Sequence, residues 1–135
     1  MKQAVQLLPS LVFDGTCDEA MKFYKDVFGG ELVVNYYRDM YEMPENEAHK
    51  VMHAELDNEF MTLFAGDTVP GATTTFGDNV RVCVAGSDVA RIGAFFNALA
   101  EGGAVFMPFE KQAWGQELGM LTDKFGTHWM MASRA

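Results

Sequence analysis

The spacing of apolar and polar positions divides the chain into two runs of elements in the same order. Leu7 to Phe13 is a short apolar run closed by Asp14-Gly15 and reads as a first strand, with Pro9 admissible at a sheet edge or a bulge. Thr16 opens a helix with Glu19 three residues on, the spacing of a capping box. Ala20, Phe23, Tyr24, Val27 and Phe28 recur at three- and four-residue intervals, which gives this helix one broad apolar stripe. Gly29-Gly30 stops it, because glycine accepts the left-handed C-cap conformation. Glu31 to Tyr37 is rich in β-formers and reads as a second strand. Arg38 to Glu47 is polar and acidic, contains Pro44, and reads as an exposed loop. Lys50 to Leu56 and Phe60 to Ala65 then pair as strands around an Asp57-Asn58 turn.

The second half follows the same order. Val80 to Ala85 reads as a strand, and Ser87 or Asp88 caps a helix with apolar Val89, Ile92, Phe95, Phe96, Leu99 and Ala100. Gly102-Gly103 stops this helix as Gly29-Gly30 stops the first. Ala104 to Met107 reads as a strand, Pro108 to Gly115 as a loop, and Gln116 to Met131 as a closing hairpin turned at Asp123-Lys124-Phe125-Gly126. The pattern therefore predicts an α+β chain of two βαβββ modules, at about 5–66 and 79–133, joined by a linker at about 67–78 within one domain spanning 1–135.

Composition narrows the partners. The formal net charge is −9, from 19 acidic and 10 basic residues, which speaks against a nucleic-acid partner and against docking to anionic membranes. Among 135 residues no basic-then-apolar leader opens the chain, and no apolar run approaches the ~20 residues that span a bilayer. Cys17 and Cys83 lie far apart with no ligand-like neighbours, so free, buried thiols in a reducing compartment are expected. A cytoplasmic protein is the corresponding expectation.

Candidate chemistry is sparse. Period-two alternation puts Val51, His53 and Glu55 on one face of the third strand and Met52, Ala54 and Leu56 on the other. If the first face lines a cavity, His53 can bind a ligand oxygen or exchange a proton; if the second face is the core, His53 lies on an exposed surface. His128 shares a strand face with Met130, and one imidazole beside a thioether makes a poor site for a hard metal ion. Trp114, between Ala113 and Gly115, stands at a loop-to-strand corner as a pocket or interface residue. Asp67 and Asp123 adjoin turns, where backbone bonding accounts for them. Ten methionines offer adaptable packing. No Ser-His-Asp arrangement, phosphate-binding loop or Gly-x-Gly-x-x-Gly after a strand can be read, so no catalytic residue is assigned.

Two stretches carry a family resemblance. Phe23-Tyr24-Lys25-Asp26-Val27-Phe28-Gly29-Gly30 resembles the helix end of the vicinal-oxygen-chelate superfamily, which includes glyoxalase I, bleomycin-resistance proteins and extradiol dioxygenases. Asp123-Lys124-Phe125-Gly126-Thr127-His128-Trp129, with Trp114 and Met52-His53-Ala54, resembles its PhnB-like branch, once given a demethylubiquinone methyltransferase-type name. The resemblance implies two βαβββ modules forming a curled mixed sheet, a half-barrel around a cavity, in a homodimer. It also implies a divalent metal held by His and Glu at matched strand positions. In this chain those positions fall near Pro9, Leu63 or Phe64, Asn79-Val80-Arg81, and Met130, which supply no such quartet. The expectation is a metal-free small-molecule-binding protein with no cofactor, whose ligand contacts include His53, Trp114, Arg81 and His128. The alternative is a Zn-, Ni-, Mn- or Fe-dependent lyase, isomerase or dioxygenase acting on a substrate with vicinal oxygens.

Overall fold

The structure, a computed structural model, describes residues 4–135. The chain forms two compact units, one ending at Thr74 and one beginning at Thr75. The first contains β1 (Ser10–Phe13), α1 (Cys17–Phe28), β2 (Glu31–Tyr36), β3 (Val51–Asp57) and β4 (Thr62–Asp67). Its sheet has the order β1-β4-β3-β2, with β1 parallel to β4 and the other pairs antiparallel. The second contains β5 (Val82–Gly86), α2 (Val89–Ala100), β6 (Ala104–Lys111), β7 (Glu117–Thr122) and β8 (His128–Ser133), in the order β5-β8-β7-β6 with β5 parallel to β8. Each unit is thus a βαβββ module with a four-stranded mixed sheet, as the hydrophobic pattern predicts.

Each sheet keeps its helix on one face. In the first unit the cross-strand pairs Ala54–Ala65 and Leu56–Leu63 are buried with Phe13 against the apolar stripe of α1, Cys17, Ala20, Met21, Tyr24 and Phe28. In the second, Leu121, Trp129 and Met131 are buried with Ile92, Phe96 and Leu99 of α2. The paired glycines act by close approach. A Cβ on Gly30 would stand 2.3 Å from the Asp57 carbonyl oxygen, and one on Gly103 would stand 2.4 Å from that of Thr122. The chain leaving each helix passes directly over the end of the sheet's second hairpin, where no side chain fits. Glu101, not Gly102, is the C-cap of α2.

Three local expectations are corrected. Thr16 makes no side-chain cap on α1. Asp67, at the end of β4 and in register with Phe13, takes that duty: its Oδ1 accepts from the amides of Gly15 (2.7 Å) and Cys17 (3.1 Å). Strict alternation fails in β3, because Asn35 pairs with His53 while Tyr36 pairs with Val51, leaving Met52 as an extra residue. The bulge turns Val51 into the core with Ala54 and Leu56, and its amide donates to Asp67 Oδ2 at 2.8 Å. Finally, β6 runs through Pro108 to Lys111 instead of stopping at Met107. Pro108 lies at a register shift on an edge strand, where a missing N–H costs no ladder bond.

Asp67 is 4% exposed and satisfies three backbone N–H groups from two separate segments. In Asp67→Asn the amide NH2 would face the Val51 N–H, donor against donor. We expect this variant to lose about 2–4 kcal/mol of unfolding free energy, read from the urea midpoint at an unchanged m-value.

Candidate functional site

With one face covered by α1, the opposite face of the first sheet carries the available chemistry. The β3–β4 register places His53, Glu55 and Asp57 there with Thr62 and Phe64, since their neighbours Ala54, Leu56, Leu63 and Ala65 point to the helix. His53 is half-buried and stands edge-on to the Phe64 ring, with centroids 4.8 Å apart and planes at 81°. The next position along β4 from Ala65 is Gly66, where a Cβ would come within 2.9 Å of the Met52 carbonyl oxygen. The bulge therefore requires a glycine, and the missing side chain opens space beside the imidazole.

That space is a cavity of about 370 Å³, whose lining includes His53, Met52, Ser10, Val12, Thr68 and Thr74. Its polar groups are hydroxyls and one imidazole. Thr68 Oγ1 donates to the Phe13 carbonyl at 3.0 Å and is also hydrogen-bonded to the Thr74 hydroxyl. Asp67 forms part of the wall, with its carboxylate engaged by the backbone. Ser10, Thr68 and Thr74 escape a sequence reading because strand ends and linker residues gain a role only when β1, β4 and the following loop converge. The hydroxyl-rich run after β4 is the one signal the sequence carries.

The other expected contacts lie in the second unit. His128 Nε2 is 2.9 Å from the Gly77 carbonyl, which can only accept, so Nε2 carries the proton. Nδ1 is then the acceptor for the Thr122 hydroxyl at 2.8 Å. Both ring nitrogens of His128 are engaged. Trp114 is 67% exposed and lines a separate depression of about 480 Å³ with Val89, Glu117, Ser133 and Arg134. Its Nε1 donates to Gln116 Oε1 at 3.0 Å, and Gln116 Nε2 donates to the Ser133 carbonyl at 3.0 Å, which fixes the exposed indole. Since β8 begins at His128 and ends at Ser133, those two contacts stand roughly 17 Å apart along the strand. Arg81 is exposed and immediately precedes β5, at the His128 end of the β5–β8 pair. The structure does not bring Trp114 and His128 together.

On the helix-free faces, β1 and β4 offer Ser10, Val12, Thr62 and Phe64, while β5 and β8 offer Cys83, Ala85, His128 and Met130. Among the described residues no three His, Cys, Asp or Glu side chains are grouped so that they could hold a metal ion. No helix among the described residues is long and apolar enough to cross a membrane.

The cysteines are both free, as expected, but only Cys17 is buried, while Cys83 is exposed. Burial, then the negative charges of Asp67 and Asp18, push the Cys17 thiol far above its usual range. Burial also raises Cys83, though it remains accessible. Because the thiolate is the nucleophile, iodoacetamide at pH 8 is expected to alkylate Cys83 and spare Cys17 in the native protein, with peptide mass mapping as the check.

Comparison with known proteins matches this architecture across the chain. The family described as 3-demethylubiquinone-9 3-methyltransferase matches residues 5–132. Protein PA1353 of Pseudomonas aeruginosa is 33% identical, with 97% of this chain and 98% of that one covered and a TM-score of 0.87. A putative 3-demethylubiquinone-9 3-methyltransferase, PhnB protein, from Bacillus cereus is 26% identical, with 96% and 100% covered and a TM-score of 0.79. A glyoxalase/bleomycin resistance protein from Albidiferax ferrireducens T118, at 18% identity with 96% and 98% covered, shares the fold at a TM-score of 0.68. From Val5 to Ala132, helix end and closing hairpin included, this chain belongs to the PhnB-like family described as 3-demethylubiquinone-9 3-methyltransferase, with the glyoxalase/bleomycin-resistance fold.

Proposed function

We propose that this PhnB-like protein binds a small organic molecule in the cavity beside His53 and does so without a metal ion. The observation that carries the reading is the cavity itself: about 370 Å³ on a helix-free sheet face, with an imidazole set edge-on against Phe64 and hydroxyls at its margin. A mixture of apolar walls with a few convergent polar groups is the usual make-up of small-molecule sites. His53 is the contact on which the reading rests; His128, with both ring nitrogens engaged, adds no free donor or acceptor. Methyl transfer, named in the family description, finds no support here, because no Gly-x-Gly-x-x-Gly turn follows a strand. Self-association as a homodimer belongs to the same reading, supported by the exposed Val105 and Phe106 on edge strand β6.

Metal analysis and thermal melting test this reading together. The melting temperature is expected to stay unchanged on adding EDTA, Zn, Ni, Mn or Fe, because an ion bound to the native state alone would raise it. Stoichiometric metal in the purified protein, or a melting temperature that falls with EDTA and recovers with the ion, would favour a metal-assisted lyase, isomerase or dioxygenase instead. Native mass spectrometry of protein taken directly from cells is expected to show a bound organic mass that is lost in Ser10→Trp, which fills the cavity.

A further inference from the structure

Resting on the small-molecule reading of the His53 cavity, we propose that this site selects an uncharged or cationic ligand that donates hydrogen bonds, and excludes carboxylates and phosphonates. No Lys or Arg lines the cavity, and its ionisable lining residues are His53 and Asp67. Binding an anion normally uses a guanidinium, an ammonium or a cluster of backbone amides. A cluster of amides does exist beside this cavity, at the β1–α1 turn and the start of β3. Asp67 already occupies it, since Gly15, Cys17 and Val51 all donate to its carboxylate. The protein supplies its own anion, and that buried charge repels another.

The hydroxyls point the same way. The Phe13 carbonyl can only accept, so the Thr68 hydroxyl spends its proton on that bond. In the Thr68–Thr74 hydrogen bond the proton therefore comes from Thr74. Both threonine protons are used inside the protein, so Thr74 offers a ligand lone pairs, while the Ser10 hydroxyl and the His53 ring keep their own protons at the wall. A hydroxyl, amide or ammonium hydrogen satisfies the Thr74 lone pairs; a carboxylate or phosphonate oxygen meets lone pair with lone pair there, and at the wall finds the Ser10 hydroxyl and the His53 ring but no Lys or Arg. Glu55, two residues from His53 on the same sheet face, adds negative charge near the imidazole, and the whole chain carries −9.

Three monosubstituted benzenes of different charge test the inference: benzylamine, benzyl alcohol and phenylphosphonate. Each is titrated into the whole protein while the Met52 methyl and His53 ring resonances are followed by NMR. Benzylamine or benzyl alcohol is expected to shift both resonances, and phenylphosphonate is expected to shift neither. Thr74→Val is expected to weaken the binding probe about fivefold, the equivalent of one lost hydrogen bond. His53→Ala and a melting curve establish that the shifts come from this cavity in a folded protein. Phenylphosphonate binding as tightly as benzylamine, with the same two resonances moving, overturns the selectivity while leaving the small-molecule reading in place. Silence from all three probes counts against both.

Discussion

One buried carboxylate ties the first module together. Asp67 ends β4, yet its oxygens receive amides from the β1–α1 turn and from the first residue of β3, while its own carbonyl accepts the Tyr37 hydroxyl at 3.0 Å. Burying a carboxylate is costly in itself, and only charge-assisted bonds to otherwise orphaned N–H groups offset it. The negative charge also sits at the N-terminal end of α1, where the helix dipole favours it. Several features follow from this arrangement. The Met52 bulge brings the Val51 amide within reach, Gly66 clears room for the bulge, and the cleared room becomes the cavity beside His53. Burial first, and then the same charge, keep the neighbouring Cys17 thiol protonated.

The second module repeats the frame but not the pin. The Thr68 amide bonds the Phe13 carbonyl at 2.7 Å, and the Arg134 amide bonds the Gly86 carbonyl at 2.8 Å. The Val51 amide bonds Asp67, and the Glu117 amide bonds the Ser133 hydroxyl at 2.9 Å. Ser133 therefore stands where Asp67 stands, with a shorter, neutral side chain. The second module's buried carboxylate lies instead at the hairpin turn. Asp123 accepts from the amides of Phe125 (2.8 Å) and Thr127 (3.1 Å) and from the Trp129 indole (2.8 Å). Its counterpart at the turn of the first module is Asn58, whose side chain accepts from the amides of Phe60 and Met61. Both modules need a polar anchor for a tight connection, and each has put its charged one at a different end of the sheet.

The two helix-free faces have diverged accordingly. In the first module that face is polar around His53, with Glu55, Asp57 and Thr62. In the second it is dominated by Met120, Met130, Ala85 and Ala132, with His128 held between Thr122 and Gly77. Soft thioethers and a fully engaged imidazole suit packing better than coordination of a hard ion.

The module order, both helices, the closing turn and the family were legible in the sequence. Each depends on local signals: three- and four-residue apolar spacing, glycine stops, and the Asp123-to-Gly126 turn, in which Gly126 does adopt a positive φ of 92°. Alternation alone also paired His53 with Glu55 and opposed them to Ala54 and Leu56. It could not say which face the helix covers, because that depends on where α1 packs. Nor could it detect the bulge at Met52, the capping of α1 by a residue 50 positions away, or the convergence of Ser10, Thr68 and Thr74. Those features arise from contacts between segments remote in sequence, whose partners no local pattern names. The closing hairpin thus identified the fold from the sequence, while the chemistry of the cavity was decided by tertiary packing around Asp67.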